Sequence, residues 1–448
     1  MFIDWYVLHP TMKVPAKPRN VRDILEKDSE RVFKLLDDKT VYDFIIKCNH
    51  DYIHWDKLRY REMPNKTNPE YIWALIKIFR SQQCKSVKFH DWTFKYLLLN
   101  DAQRKLHLMD KGTTGRLETG LESINTAGRS RYIISSLMEE AIASSQLEGA
   151  ATTRKIAKEI LRLKRKPENY SEQMIVNGYE TMQKMTKMKD ATLTPETILK
   201  LHKNITKDTL EDKNDEGRFR DNNEIVVGAP LEYGKIYYTP PDYKKINGLM
   251  EEFCEFASND YGEFIHPVIK GIFLHFLIGY IHPFNDGNGR TARTIFYWYM
   301  LSRGYWLFEY MSISRIILRS KTKYGLAYLY TETDKNDLTY FINYNLNAIE
   351  EALYDMEDYI NKKQKEYSEA LNLIQGIKDI NLRQAEILKG FMRNPEKRFV
   401  INEILTTYNV AYDTARNDLL HLTELGYLEK IKIKNKFIFE LSKHDINR

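Results

Sequence analysis

Cysteine is scarce in this chain: Cys48, Cys84 and Cys254 are three among 448 residues, far apart, with no CxxC pair. That excludes a disulfide framework and suits a reducing compartment, so a cytoplasmic location is expected. An excess of one charge is also lacking. Lys and Arg number 68 against 62 Asp and Glu, a formal net charge of +6, which alone gives no reason to invoke nucleic acid. Long apolar runs are missing too. The most apolar stretch, 271–281, contains His275 and falls far short of the ~20 residues of a membrane helix, so no membrane partner is expected. The opening MFIDWYVLHP places Asp4 and Trp5 where a secretory leader would be basic and then apolar. There is no internal repeat and no low-complexity segment.

What is there is a globular composition, 43% hydrophobic and 29% charged, over a length that calls for two or three domains. Apolar residues recur at three- and four-residue spacing over 23–36, 69–80 and 92–108, which predicts an N-terminal helical extension over 1–115. Residues 116–348 read as a second, mainly helical domain. Within it Ile133, Leu137, Ala141 and Ser144 share a helix face running toward Glu148–Gly149, and Thr152–Thr153 offer the cap of the next helix. Two β-prone runs, 224–228 and 235–238, flank a turn-rich 229–234 and predict a hairpin. Helix resumes at Pro267, with Ile269, Ile272, Phe273, Phe276, Leu277 and Tyr280 forming a buried stripe. A connecting helix is predicted over 349–379. In 380–448, helices at 382–393, 402–408 and 413–425 followed by strands at 427–433 and 436–441 make a winged-helix pattern. The expected fold class is mainly α.

Chemistry concentrates in His282–Arg293, HPFNDGNGRTAR. Pro283 ends the preceding helix, and Gly287 and Gly289 permit backbone angles and close approaches that other residues block. Amides from Gly287 to Arg290 then open the next helix, expected over 291–301, and form an anion site. Arg290 and Arg293, one turn apart, add positive charge. A carboxylate here, Asp286, would repel phosphate unless a cation lay between them, and Mg²⁺ suits one carboxylate with phosphate oxygens and water. His282 supplies a neutral imidazole to accept a hydroxyl proton. Phe284 reads as the anchor of the loop. These residue types together predict phosphoryl or nucleotidyl transfer from a Mg²⁺-nucleotide to a hydroxyl.

The segment resembles the Fic motif, HPFx(D/E)GNGRxxR, at every defined position. The resemblance implies a protein adenylyltransferase with a Fic helical core, which moves AMP from ATP to a Ser, Thr or Tyr hydroxyl of a protein, itself included, and releases pyrophosphate. By that resemblance His282 is the general base and Asp286 the Mg²⁺ ligand. Gly287, Asn288, Gly289, Arg290 and Thr291 surround the phosphates, and Arg293 reaches the γ-phosphate. Gly289, where the kinase-like Doc branch carries Lys, favours AMP transfer.

Ser144–Gly149, SSQLEG, resembles the family's inhibitory motif (S/T)xxxE(G/N), which assigns that role to Ser144, Glu148 and Gly149. Ser144 and Glu148 share a helix face, and Glu148 aimed at Arg293 would take the cation meant for the γ-phosphate. The hairpin is similar to the Fic flap, which aligns a target by strand addition. Gly217–Arg220 matches its GxxR lead-in, and Val227, Gly228 and Ala229 fall where the flap approaches the nucleotide. Tyr324 and Tyr328 fall on the adenine side. A homodimer is a candidate assembly. Removal of AMP, with Glu148 orienting a water, is the alternative direction of the same site.

In the C-terminal module Lys430, Lys432, Lys434 and Lys436 alternate with Ile431, Ile433 and Phe437. Thr414, Arg416 and Asn417 offer DNA contacts, against which stand Asp413, Asp418 and Glu424. DNA or a protein partner at this module gives the competing reading, a nucleotide-sensing regulator.

Overall fold

Helix dominates the fold, and the reason is visible at its centre. The helix Pro267–Ile281 is apolar apart from Lys270 and His275 and is buried from Val268 to Ile281, so it lies inside a shell of other helices. It packs against Asn288–Ser302, the helix that follows the 282–287 loop. Around this pair lie Thr126–Leu147, Tyr170–Lys187, Pro195–Thr206, Ile246–Ser258 and the 38-residue helix Thr339–Gly376. The computed structural model describes residues 3–4, 13–113, 126–228, 236–259, 263–376, 379–396, 398–433 and 436–442.

The N-terminal helices Val21–Lys34, Lys39–His50 and Pro69–Ser81 enclose a separate core that includes Ile24, Val32, Ile45 and Trp73. A buried charged cluster fastens this bundle to the centre. Lys77 Nζ lies 2.9 Å from Asp334 and 3.0 Å from Asp337, the Tyr52 hydroxyl donates to Asp337 (2.8 Å), and Arg80 donates to the Tyr340 hydroxyl (3.1 Å).

The helix predicted over 92–108 is not one element. Lys85–Phe89 and Trp92–Tyr96 form an antiparallel hairpin with Val87 opposite Phe94, and helix begins only at Asn100. The alternation of Trp92, Phe94 and Tyr96 is the stronger local signal: it buries Phe94 and Tyr96 on one face, a period of two that a helix cannot satisfy. These side chains join the central core. By packing, the N-terminal bundle therefore ends near residue 81.

The flap region contains a short hairpin, Val226–Gly228 against Ile236–Tyr238, with Val227 opposite Tyr238. Ile3–Asp4 pairs in parallel with the other edge of Val226–Gly228. Ala229 and the rest of the turn through residue 235 lie outside the described residues.

The stretch predicted as a connector is the outer part of Thr339–Gly376, which runs from the central core to the C-terminal module. There Lys389 and Arg393 bond Glu369, the latter at 3.0 Å. Helices Leu382–Arg393, Ile401–Tyr408 and Tyr412–Glu424 are followed by the antiparallel strands Leu428–Ile433 and Lys436–Leu441. A short strand, Phe399–Val400, completes the sheet. Lys434 and the side chain of Lys436 lie outside the described part of the chain. Ile401–Tyr408 packs against both Thr126–Leu147 and Arg154–Leu163. Among the described residues no helix is long and apolar enough to cross a membrane.

Candidate active site

The loop opens where Pro267–Ile281 can no longer continue. His282 adopts the left-handed conformation at φ 53°, rare for a residue with a Cβ, and its N–H still bonds Ile278 O at 2.9 Å. The His282 ring is buried, with Nδ1 3.1 Å from Gly279 O. A carbonyl only accepts, so Nδ1 carries a proton, which in the neutral ring leaves the lone pair on Nε2, the tautomer a general base requires. Arg220 fixes the backbone around it, donating from Nε to His282 O and from its own amide to Pro283 O, both at 2.9 Å. Through those bonds the GRFR segment ties the approach to the flap onto the loop.

The loop keeps its shape through its own side chains. Phe284 is fully buried and stacks on His202 with 3.7 Å between ring centroids. Asn288 accepts from Phe284 N (2.9 Å) and donates to Phe284 O (2.8 Å), so its side chain braces the turn. What it offers an anion is its backbone at the helix start. That helix begins at Asn288, three residues earlier than predicted, which puts Gly289 and Arg290 in the first turn, whose amides have no intrahelical partner.

Gly287, at φ 82°, is the cap. A Cβ there would lie 2.8 Å from Thr206 and 3.2 Å from His202, so both conformation and space demand glycine.

His202 joins the site without any motif to announce it. It is buried in Pro195–Thr206, accepts from Gly217 N at Nδ1 (3.0 Å) and donates from Nε2 to Asp286 O (2.9 Å). It thereby links the segment before the flap to the anion loop. A lone His on an amphipathic helix gives no signal of this; only the fold brings its partners together.

Arg290 and Thr291 are both buried. Arg290 Nη1 donates to Ile205 O (3.3 Å), while Nε and Nη2 have no hydrogen-bond acceptor among the described residues; Nη2 lies 3.5 Å from Asp286. Thr291 Oγ1 likewise has no hydrogen-bond partner among them. Buried donors in this state suit an anion. The Asp286 carboxylate is 41% exposed, and among the described residues no group of three or more His, Cys, Asp or Glu side chains gathers to hold a metal. One carboxylate beside an anion cradle fits Mg²⁺ arriving with a nucleotide, whose phosphate oxygens and waters complete its shell.

Arg293 is equally buried, and its guanidinium is engaged. Nε donates to Ser144 Oγ (2.9 Å), and Nη2 donates to Ser144 O (3.0 Å) and to Glu148 Oε1 (2.7 Å). Burial works against its charge, but the Glu148 carboxylate beside it prevails and raises its pKa. Glu148 also closes over the loop, because a Cβ added at Gly289 would overlap its carboxylate. Thr126–Leu147 ends one residue earlier, and Gly149 follows in the left-handed conformation.

That long helix is pinned from behind by Glu140, which accepts from Ser314 N (3.0 Å), the Tyr297 hydroxyl (2.9 Å) and Ser312 Oγ (3.1 Å). These two acidic residues therefore act differently. Glu140 holds the helix in place, and Glu148 meets the loop.

The predicted adenine-side residues lie deeper. Tyr324 is buried with its hydroxyl 2.9 Å from His275 Nε2, and the Tyr328 hydroxyl donates to His275 O at 3.4 Å. Val227 of the flap is buried against Leu329 of the same helix, Lys321–Thr333.

In the C-terminal module, Asp418 is turned inward, bonded to Arg383 (3.1 Å) and Gln384 (3.2 Å). Asp413, Arg416, Asn417, Lys430 and Lys432 are exposed.

A helical protein with a histidine-led, arginine-lined anion loop is the class that these features define. Residues 192–300, which include the loop and flap, match the Fic/DOC family model, and the chain carries a Fic domain. The protein adenylyltransferase Fic of Drosophila willistoni is 31% identical over 113 residues, 25% of this chain and 20% of that protein. The protein of the same name from Drosophila persimilis is 30% identical over the same shares. The chain thus matches about a fifth of the length of these curated relatives. Fic-1 (residues 134–508) of C. elegans aligns in structure with 78% of this chain and 89% of its own at 16% identity and a TM-score of 0.47. A Fic family protein from Desulfovibrio desulfuricans G20 aligns with 76% and 97% at 18% identity and a TM-score of 0.44.

Proposed function

We propose that this chain is a protein adenylyltransferase held in an inhibited state by its own Glu148. In the transfer, His282 Nε2 takes the proton of a Ser, Thr or Tyr hydroxyl, and the oxygen bonds to the α-phosphorus of ATP. The bond to the β-phosphate oxygen breaks, and pyrophosphate leaves. Asp286 would hold Mg²⁺, which screens the phosphate charge. The amides of Gly289 and Arg290 and the Arg290 guanidinium hold phosphate oxygens, and Arg293 is placed for the γ-phosphate. Val227, Gly228 and Ala229 would border the nucleotide, and Tyr324 would shape its base pocket from behind.

The observation that carries this reading is the Glu148–Arg293 pair at 2.7 Å above Gly289. A carboxylate in that place competes with a terminal phosphate for the same cation. Labelling by α-labelled ATP with Mg²⁺ tests it. Glu148→Gly should label itself or added protein strongly, wild type weakly, and Glu148→Gly/His282→Ala not at all. Label that survives the loss of His282 would sink the mechanism.

A second reading concerns the C-terminal module. With Asp418 buried, Asp413 and Glu424 are the exposed acids of that helix, against the exposed Arg416, Lys430 and Lys432, and duplex DNA is the proposed partner of this module. The shift of a DNA duplex should weaken steeply with salt and vanish for Lys430→Glu/Lys432→Glu. A shift unchanged in that variant overturns this reading.

A further inference from the structure

The flap hairpin is short, and a two-stranded ribbon needs another strand or a packing surface to persist. One of its strands, Val226–Gly228, has both. Val227 is buried against Leu329, and the strand is central in a three-stranded sheet, with Ile236–Tyr238 on one side and Ile3–Asp4 in parallel on the other. Ile3 lies opposite Val226, and Asp4 opposite Val227. We infer that Ile3–Asp4 is a built-in strap, covering the flap edge that an extended polypeptide would otherwise take. Its geometry stands alone; its consequence for target access rests on the transferase reading.

An uncovered strand edge is a template for any extended chain, because its outward N–H and C=O groups seek partners. Here the partner comes from the same molecule, and its mooring explains why it stays near. Ala16 N–H donates to Asp56 (2.9 Å), Arg19 bonds Glu70 (2.9 Å), and Lys335 Nζ donates to Asn20 (2.9 Å). The last bond is made two residues beyond the helix on which the flap packs. A strand on so short a tether faces the flap at an effective concentration of roughly millimolar. Among the described residues the pairing spans Ile3–Asp4, and a strand from another chain that pairs along more of the same edge can displace it.

In the whole 448-residue chain, Ile3→Cys/Val226→Cys should form a disulfide on mild oxidation, while Ile3→Cys/Ile236→Cys, on the far strand, should not. Asp4→Pro fixes φ inside the paired stretch, disfavours its pairing with Val226–Gly228, and should speed amide exchange at residues 225–228 roughly tenfold. In the Glu148→Gly background, with unfolded casein as the probe target, Asp4→Pro should lower the KM for casein roughly three- to tenfold at unchanged kcat. The locked Ile3→Cys/Val226→Cys pair should raise it. Failure of the selective disulfide, unchanged exchange, or equal KM in the locked and released forms overturns the strap. Absence of any labelling, with disulfide and exchange as stated, would instead overturn the transferase reading.

Discussion

Arg290 and Arg293 leave the same helix one turn apart, both almost fully buried, and their surroundings differ completely. Two of the three Arg290 guanidinium nitrogens have no hydrogen-bond acceptor among the described residues, whereas Arg293 is engaged by Ser144 and Glu148. Among these residues Arg290 keeps donors without an acceptor, one of them 3.5 Å from Asp286, whereas Arg293 uses its donors on Ser144 and Glu148. On the proposed reading, the difference locates the inhibition at Arg293, where the end of a triphosphate would sit, with Glu148 lying above Gly289. A nucleotide should therefore still be held at its inner phosphates while its outer one is displaced.

The largest effect expected is loss of the base. His282→Ala in the Glu148→Gly background should lower transfer on the order of 10²- to 10⁴-fold while leaving ATP binding intact, measured by labelling and by calorimetry. Next is release of Arg293. Glu148→Gly should raise transfer on the order of 10- to 100-fold, the effect of regaining one charge-assisted hydrogen bond to phosphate. The same variant should be less stable without ligand and recover more than wild type when Mg²⁺-ATP is added, seen as a larger ATP-dependent rise in Tm. Equal rises would mean that Glu148 and the nucleotide do not compete.

The comparison also predicts different stability costs. Arg293→Ala removes the guanidinium paired with the buried Glu148 carboxylate and should cost about 3–5 kcal/mol. Arg290→Ala removes a weakly bonded guanidinium and should cost only about 1–2 kcal/mol, with activity falling far more than stability. Urea unfolding of the two variants checks this. Equal costs would show that Arg290 supports the fold as strongly as its neighbour.

Legibility in the sequence follows how local each device is. The anion loop is contiguous, so Pro283, the two glycines and the residue types between them suffice to read it from sequence. Glu148 lies far from Arg293 along the chain, and SSQLEG alone specifies no partner; the family resemblance supplies the pairing as an expectation. His202 and Glu140 are invisible there because their meaning lies in partners brought by other helices. The strand Trp92–Tyr96 reads as helix because so short a stretch can satisfy a spacing of four by accident, and burial of alternate residues decides against it. The resemblance supplies only half of the split between Arg290 and Arg293, the engagement of Arg293. That two Arg290 nitrogens lack an acceptor among the described residues depends, like the role of His202, on neighbours brought by other helices.

His202 tests how far the open side depends on its frame. His202→Phe keeps a ring against Phe284 but loses the bonds to Gly217 and Asp286. Transfer in the Glu148→Gly background should fall roughly tenfold, about the effect of one lost buried hydrogen bond, with the Arg293 side unaffected. A fall matched in the ATP-dependent Tm rise would place the defect in nucleotide binding.

The smallest effect concerns the dryness of the closed side. His275, behind Tyr324, has its pKa lowered to about 3, first by burial and then by the Arg293 charge. In the unfolded chain it titrates near its ordinary value of 6.5. Between these values the unfolded state binds a proton that the folded state refuses, so stability falls as the pH drops below 6.5, by about 1.4 kcal/mol per pH unit from this residue. His54 is lowered to about 3 as well and adds a parallel loss. His275→Gln should flatten the acid limb between about pH 6.5 and 5 by the contribution of one proton and leave the His54 share in place. Unfolding at about pH 7, 6 and 5 measures it. An unchanged slope would mean that water reaches His275, and with it the Arg293 side, in the folded protein.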